Sequence, residues 1–405
     1  MRGVSVSGEP IPVLWLCGPP GVGKTEAGWE IYAELGRAGV AAGYVDVDQL
    51  GICYPEPASD PGRHLMQARN VGAVVAGYRA AGARCVVVSG VVDTARGVHA
   101  DRIPGAALTV CRLRVGQDEL RRRLLGRTGS TVALADALRD AEAMDASDIG
   151  DVCVDTSGLS VAEVARRVRE RTGGWPVPAA PATAPATAFE RPSPAPAPAE
   201  GSVLWLCGAT GVGKSTVGFT LFQRALAAGH TAAYLDLDQI GCCAPAPADD
   251  PGNHRLKARN LAAVWQTYRA AGARCLTVVG QAEDESAIRT YADALAPATV
   301  TVCRLHAGRE ELVRRILSRG QGGSWAQPGD PLKGRPTARL LQAADAAAAD
   351  AEALDRAALG DLRVATDGHT VEEVADAVAD AVAERSPTLS LPPPTASDRP
   401  QAFEL

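Results

Sequence analysis

A chain of 405 residues with a formal charge of −6, 46% hydrophobic and 22% charged, is long enough for two or three domains, each with its own core. The acidic balance argues against a general nucleic-acid binder, which normally carries a basic excess. No uncharged apolar stretch nears the roughly 18 residues of a membrane span, and the N-terminal residues lack the apolar run of a secretory signal, so neither membrane nor nucleic acid is expected as a partner.

The first strand is expected at Val13–Cys17. It runs into GPPGVGKT at Gly18–Thr25 and then into a helix over Lys24–Ala38. Strand, glycine-rich turn and helix, in that order, make a phosphate-binding loop. Gly18, Gly21 and Gly23 let the backbone turn tightly enough for several amides, that of Val22 among them, to point at one centre. The helix adds its positive dipole end. Lys24 supplies a charge for the outer phosphates of ATP, and the Thr25 hydroxyl a ligand for Mg²⁺.

The second strand, Ala42–Val47, ends in VDVDQLG. Two residues apart on a strand, Asp46 and Asp48 would share a face. At a carboxyl end that face looks into the ligand cleft. One carboxylate would then serve Mg²⁺ while the other takes the proton of an acceptor hydroxyl. The alternative is a loop aspartate that caps the next helix. A helix over Gly62–Ala81 carries Arg69. The third strand, Cys85–Ser89, ends in CVVVSG without the acid that motor ATPases place there, which favours a kinase over a mechanical ATPase. Strands at Leu108–Leu113 and Val152–Asp155 follow, with helices at Gln117–Arg127, Leu134–Ala146 and Ser160–Arg171. Uninterrupted apolar strands alternating with helices predict an α/β fold, a parallel sheet of about five strands covered on both faces. Ligands should bind beyond its carboxyl ends.

The whole pattern then recurs. VLWLC and GATGVGKS (Gly208–Ser215) repeat the first strand and loop, so Gly208, Gly211, Val212, Gly213, Lys214 and Ser215 take the roles above. LDLDQIG repeats the acidic pair as Asp236 and Asp238, DPGNHRLKARN the helix start with Arg259, and YRAAGARC returns unchanged. The chain is therefore a tandem duplication: a first domain over 1–171, an Ala/Pro-rich spacer over 172–201, a second domain over 202–385 and a disordered tail over 386–405. Most of the 10 cysteines lie in apolar strand-like runs and read as buried small hydrophobes; with no CxxC pair, no zinc site is expected, and a reducing cytoplasm fits.

On these motifs each copy resembles the small-molecule kinase branch of the P-loop proteins, which includes the adenylylsulfate, shikimate and gluconate kinases. The resemblance implies that DVD and DLD serve magnesium, through Asp46 and Asp236, and the acceptor. It sets Arg69 and Arg259 at a substrate arginine's position. It makes ELRRRLLGR and ELVRRILSR a lid-entry helix, whose Arg315 and Arg319 in the second copy would close over the phosphates. DTSG and ATDG resemble the loop near the adenine. Gly51 and Gly241 stand where adenylylsulfate kinases carry a further arginine, which leaves the acceptor open.

The copies are not equal. The second has a longer lid segment with Lys333 and Arg335, and sets Arg255, Lys257 and Arg259 on or near one helix face where the first has Leu65, Gln67 and Arg69. The second copy is therefore the expected catalytic centre for transfer to a small hydroxylated or anionic metabolite. The first would bind nucleotide for structure or regulation, the two domains pairing within the chain. The other reading is a nucleotide switch that hydrolyses ATP slowly if at all.

Overall fold

The computed structural model describes residues 9–127, 131–176, 201–322 and 330–385; of 126, 127 and 131–133 it gives the backbone alone. In the first half the elements run β1 (Ile11–Cys17), α1 (Lys24–Arg37), β2 (Ala42–Asp46), β3 (Cys53–Tyr54), α2 (His64–Ala80), β4 (Cys85–Ser89), β5 (Ala106–Arg114), α3 (Gln117–Arg127), α4 (Thr131–Asp145), β6 (Val152–Asp155) and α5 (Val161–Arg171). The second half runs β7 (Ser202–Cys207), α6 (Lys214–Ala227), β8 (Ala232–Asp236), β9 (Cys242–Ala244), α7 (His254–Ala270), β10 (Cys275–Val279), α8 (Glu285–Leu295), β11 (Thr299–His306), α9 (Arg309–Gly320), α10 (Thr337–Arg356), β12 (Leu362–Ala365) and α11 (Val371–Arg385).

Two sheets result, ordered β6-β5-β1-β4-β2-β9 and β12-β11-β7-β10-β8-β3. Five strands of each are parallel, as the unbroken apolar runs require: β2 and β4 are buried at every position. Registers such as Trp15 opposite Val88 on one side and Val110 on the other put both loops at the carboxyl end of a central strand. Helix termini follow local chemistry. Ser160 and Glu163 form a reciprocal capping box on α5, and Asp284 caps α8 through the Ala287 amide.

The sixth strand of each sheet departs from the expectation of about five. It is short, antiparallel and drawn from the other half of the sequence. Cys53 and Tyr54 pair with Ala233 and Ala232 of β8, while Cys242, Cys243 and Ala244 pair with Tyr44, Gly43 and Ala42 of β2. The two compact units accordingly differ from the expected boundaries: Ile52–Pro61 belongs with the second half and Gly241–Leu256 with the first. The first unit's core also extends past residue 171. Trp175, 3% exposed, packs among Ile31, Leu35 and Val168, which apolar area alone favours. The rest of the spacer, the tail and lid residues 323–329 lie outside the described residues. No helix of the described residues is long and apolar enough to cross a membrane.

Candidate functional site

Each loop leaves its strand through a glycine at positive φ, Gly18 at 149° and Gly208 at 135°. A Cβ there would press on the carbonyl of Leu113 or Leu305. Gly23 and Gly213, at φ 97° and 103°, are left-handed residues that start α1 and α6. Around Gly23 nothing lies within 4 Å of a built Cβ, so conformation rather than crowding selects glycine there. Lys24, 7% exposed, folds back so that Nζ donates to the carbonyls of Gly18 (2.9 Å) and Pro19 (3.1 Å). Lys214 makes the same bonds to Gly208 (2.9 Å) and Ala209 (3.0 Å). Burial pushes both ammonium groups below their ordinary pKa, against the pull of the two aspartates facing each.

The acidic pairs are not arranged as strand alternation predicts. β2 ends at Asp46, and Val47–Leu50 is a 3₁₀ turn. Asp46 caps that turn, its Oδ1 accepting from the Asp48 amide at 3.0 Å. Asp236 does the same for Asp238 at 2.9 Å. The first acid of each pair does cap, but it caps the 3₁₀ turn at the end of its own strand and not the next α-helix, because a carboxylate two residues before an amide outcompetes continued strand geometry. The capping acid also meets the loop. Thr25 Oγ1 donates to Asp46 Oδ2 at 2.9 Å, and Ser215 Oγ to Asp236 Oδ2 at 3.5 Å. Asp46 accepts a further bond from Ser89 at 3.1 Å; Val279 stands at that position in the second copy. Burial first, and then the neighbouring Asp48 charge, raise the Asp46 carboxyl to about 7. The second acid of each pair, Asp48 and Asp238, is exposed. Asp238 has a cation, Lys257 Nζ at 2.9 Å. Although desolvation works the other way, Lys257 holds the Asp238 carboxyl below its ordinary range.

The lid-entry arginines take two roles. Arg315 donates to the loop carbonyl of Val212 (2.8 Å), to Thr366 Oγ1 (3.0 Å) and carbonyl (2.9 Å), and to Glu311 (2.6 Å). Arg123 repeats the clasp on Val22, Thr156 and Glu119. These guanidiniums tie the loop to the segment after the last strand; they are struts, and Thr156 and Thr366 are partners that the sequence reading missed. The repeated T in DTSG and ATDG was their only signal. Arg319 differs. It donates to the buried Asp330 at 2.8 Å, and its charge is felt at both Lys214 and Asp238. The side chain of Arg127, its counterpart, lies outside the described residues.

Arg69 and Arg259, expected to meet the acceptor, are exposed, each on the first turns of its helix. Arg255 faces elsewhere: its guanidinium is bidentate on Asp249, 2.9 Å to each oxygen. It does not share the surroundings of Lys257, as expected from one helix face. In the first unit a cleft opens beside the turn, lined by Trp15, His64, Gln67, Asp93 and His99 among others. His99 Nε2 lies 3.5 Å from Asp93, and the buried Trp15 indole N–H has no partner among the described residues. Trp15 is 3% exposed and belongs to the core, yet it is among the residues lining this cleft. Asp93 and His99 sit in a stretch without a counterpart motif, so nothing in the sequence singles them out. Among the described residues no cluster of three or more His, Cys, Asp or Glu could hold a metal by itself.

No protein-family model matches the sequence, and no match is found among curated proteins. Solved structures do match by fold. The chain is similar to a sugar kinase from Janibacter (16% identity, 41% of this chain and 97% of that one, TM-score 0.32). It is also similar to a gluconokinase from Sinorhizobium meliloti (19%, 41% and 97%, TM-score 0.29) and to the APS kinase of Mycobacterium tuberculosis, solved with AMPPNP and APS (20%, 45% and 97%, TM-score 0.29). Each spans under half of this chain, and a shared fold assigns no activity by itself.

Proposed function

We propose that the chain is an ATP·Mg²⁺-dependent phosphotransferase acting on a small hydroxylated or anionic metabolite, with the second unit as its principal catalytic centre. One observation carries the reading. In both copies the loop hydroxyl reaches a buried carboxylate, Thr25 to Asp46 and Ser215 to Asp236, while a second carboxylate two residues on stays exposed. The hydroxyl and the buried carboxylate are hard oxygen donors of the kind Mg²⁺ takes, and the donor set fits it. When bound there, the ion would neutralise charge on the transferring phosphoryl.

The chain's own groups supply the rest. Loop amides and the helix dipole cradle the phosphates, and Lys24 or Lys214 exchanges its loop carbonyls for phosphate oxygens. Asp48 or Asp238 is placed to orient an acceptor hydroxyl and take its proton. Lys257, beside Asp238 where the first copy has Gln67, supports the second unit as the transferring one, and the charge of Arg319 lies within reach of Lys214. Arg69 and Arg259 are the candidates for meeting acceptor charge. Arg315 acts through the loop rather than on the phosphates.

Incubating the purified chain with ATP, Mg²⁺ and a panel of hydroxylated and anionic metabolites tests the reading. ADP that appears only with an acceptor supports it. Tight ATP binding with no acceptor-dependent ADP defeats it and favours the nucleotide switch.

A further inference from the structure

The exchanged strands start where the acidic turns end. From Asp46, the chain makes its capped turn, is held by Asn70 Nδ2 on the Leu50 carbonyl (2.7 Å), and at Gly51 leaves the first unit. The next residue, Ile52, is 2% exposed in the second unit's core, and its carbonyl accepts from the Tyr234 amide at 3.0 Å. Cys53 and Tyr54 continue the ladder on β8, with Tyr54 against Phe222, ring centroids 6.5 Å apart. Tyr234 lies two residues before Asp236.

The mirror path has the same parts. Asp238 follows its cap, Asn260 Nδ2 holds the Ile240 carbonyl at 2.7 Å, and Gly241 begins the segment assigned to the first unit. Cys242 then lies opposite Tyr44, two residues before Asp46. Asn253 Nδ2 secures this crossing on the carbonyls of Gly241 (3.3 Å) and Cys243 (2.9 Å). Neither connection has a slack residue: turn, glycine and ladder are contiguous, and every residue from Leu50 to Cys53 is buried. Stiff, buried backbone transmits displacement that a loop would absorb.

We propose that the two nucleotide sites are coupled, each acidic turn being joined through its exchanged strand to the strand that bears the other site's magnesium aspartate. This rests on the reading of both loops as nucleotide sites. Fixing Asp46 and Asp48 around a bound nucleotide orders the Val47–Leu50 turn, and the ordering passes through Ile52 to β8. Coupling of this kind is a free energy shared by both sites and therefore reciprocal.

The test is amide hydrogen exchange on the full chain carrying Lys214→Ala, so that ATP·Mg²⁺ is held by the first loop alone. Binding is measured first; if neither loop of the native chain binds nucleotide, the nucleotide reading falls, and this inference with it. With binding at the first loop, exchange across 232–236 is expected to slow by about 5-fold or more. A footprint that stops at Gly51 overturns the coupling while leaving the nucleotide reading intact. A second chain, carrying Lys214→Ala together with two glycines inserted between Gly51 and Ile52, gives the connection slack without removing a ladder bond. It should bind at the first loop and lose the protection across 232–236; protection that survives the insertion also overturns the proposal.

Discussion

The two sites share a loop, a capped turn and a clasp, yet differ in the charge that surrounds the phosphate lysine. In the second unit Arg319 and Lys257 bring positive charge to Lys214 and Asp238. In the first, Gln67 stands where Lys257 does, and among the described residues Asp140 on α4 feels the charge of Lys24; the side chain of Arg127, at the position of Arg319, lies outside the described residues. Transfer of a phosphoryl group spreads negative charge over oxygens that cations must meet. The proposal that the second unit transfers and the first mainly holds a nucleotide rests on this difference. Duplication preserved what the backbone needs and released what the chemistry uses.

The largest effect that tests this contrast is on the lysines. Lys214→Ala should lower acceptor-dependent transfer by about 10³-fold, the scale of losing a fixed charge at a developing anion, while Lys24→Ala retains most of it. Loss of transfer from Lys24→Ala alone would reverse the comparison. Next comes Trp175→Ala, which deletes a buried indole and should destabilise the first unit by about 3–5 kcal/mol. Denaturant-dependent hydrogen exchange should show the loss in α1 and α5 and spare α6; a loss below about 1 kcal/mol would remove Trp175 from the core.

Arg319→Ala should cost about 10²-fold in kcat with little change in ATP affinity, whereas Arg315→Lys should weaken ATP binding about 10-fold by loosening the Val212–Thr366 clasp. Equal effects on kcat from both would erase the distinction between phosphate cation and strut. The smallest effect is on pH. The hydrogen bond from Arg314, with help from Arg315, holds the Glu311 carboxyl at about 2. A depressed carboxyl stabilises above its unfolded pKa, about 4.3, and that contribution is lost as pH falls toward 2. Thermal midpoints of Glu311→Gln between pH 5 and 3 should therefore fall less steeply than those of the native chain. An unchanged slope would show that the pair contributes nothing to stability.

The sequence by itself determined the local frame. Glycines at Gly18 and Gly208 leave one workable turn, the unbroken apolar runs of β2 and β4 leave a parallel sheet buried on both faces, and the return of the motifs in the same order leaves a duplication. These are short-range constraints, and residue type is enough to state them. Only the tertiary structure decided where each carboxylate sits, because Asp46 is a cap by virtue of one amide two residues on, and Asp48 is therefore off the strand. It also separated Arg315 from Arg319, which helical spacing makes equivalent, through Thr366 and Asp330, partners distant in sequence. The exchange of Ile52–Pro61 for Gly241–Leu256 was equally illegible. Two similar segments carry much the same pairing information, so pattern alone cannot say which sheet each completes; chain geometry and the shape of each core decide it.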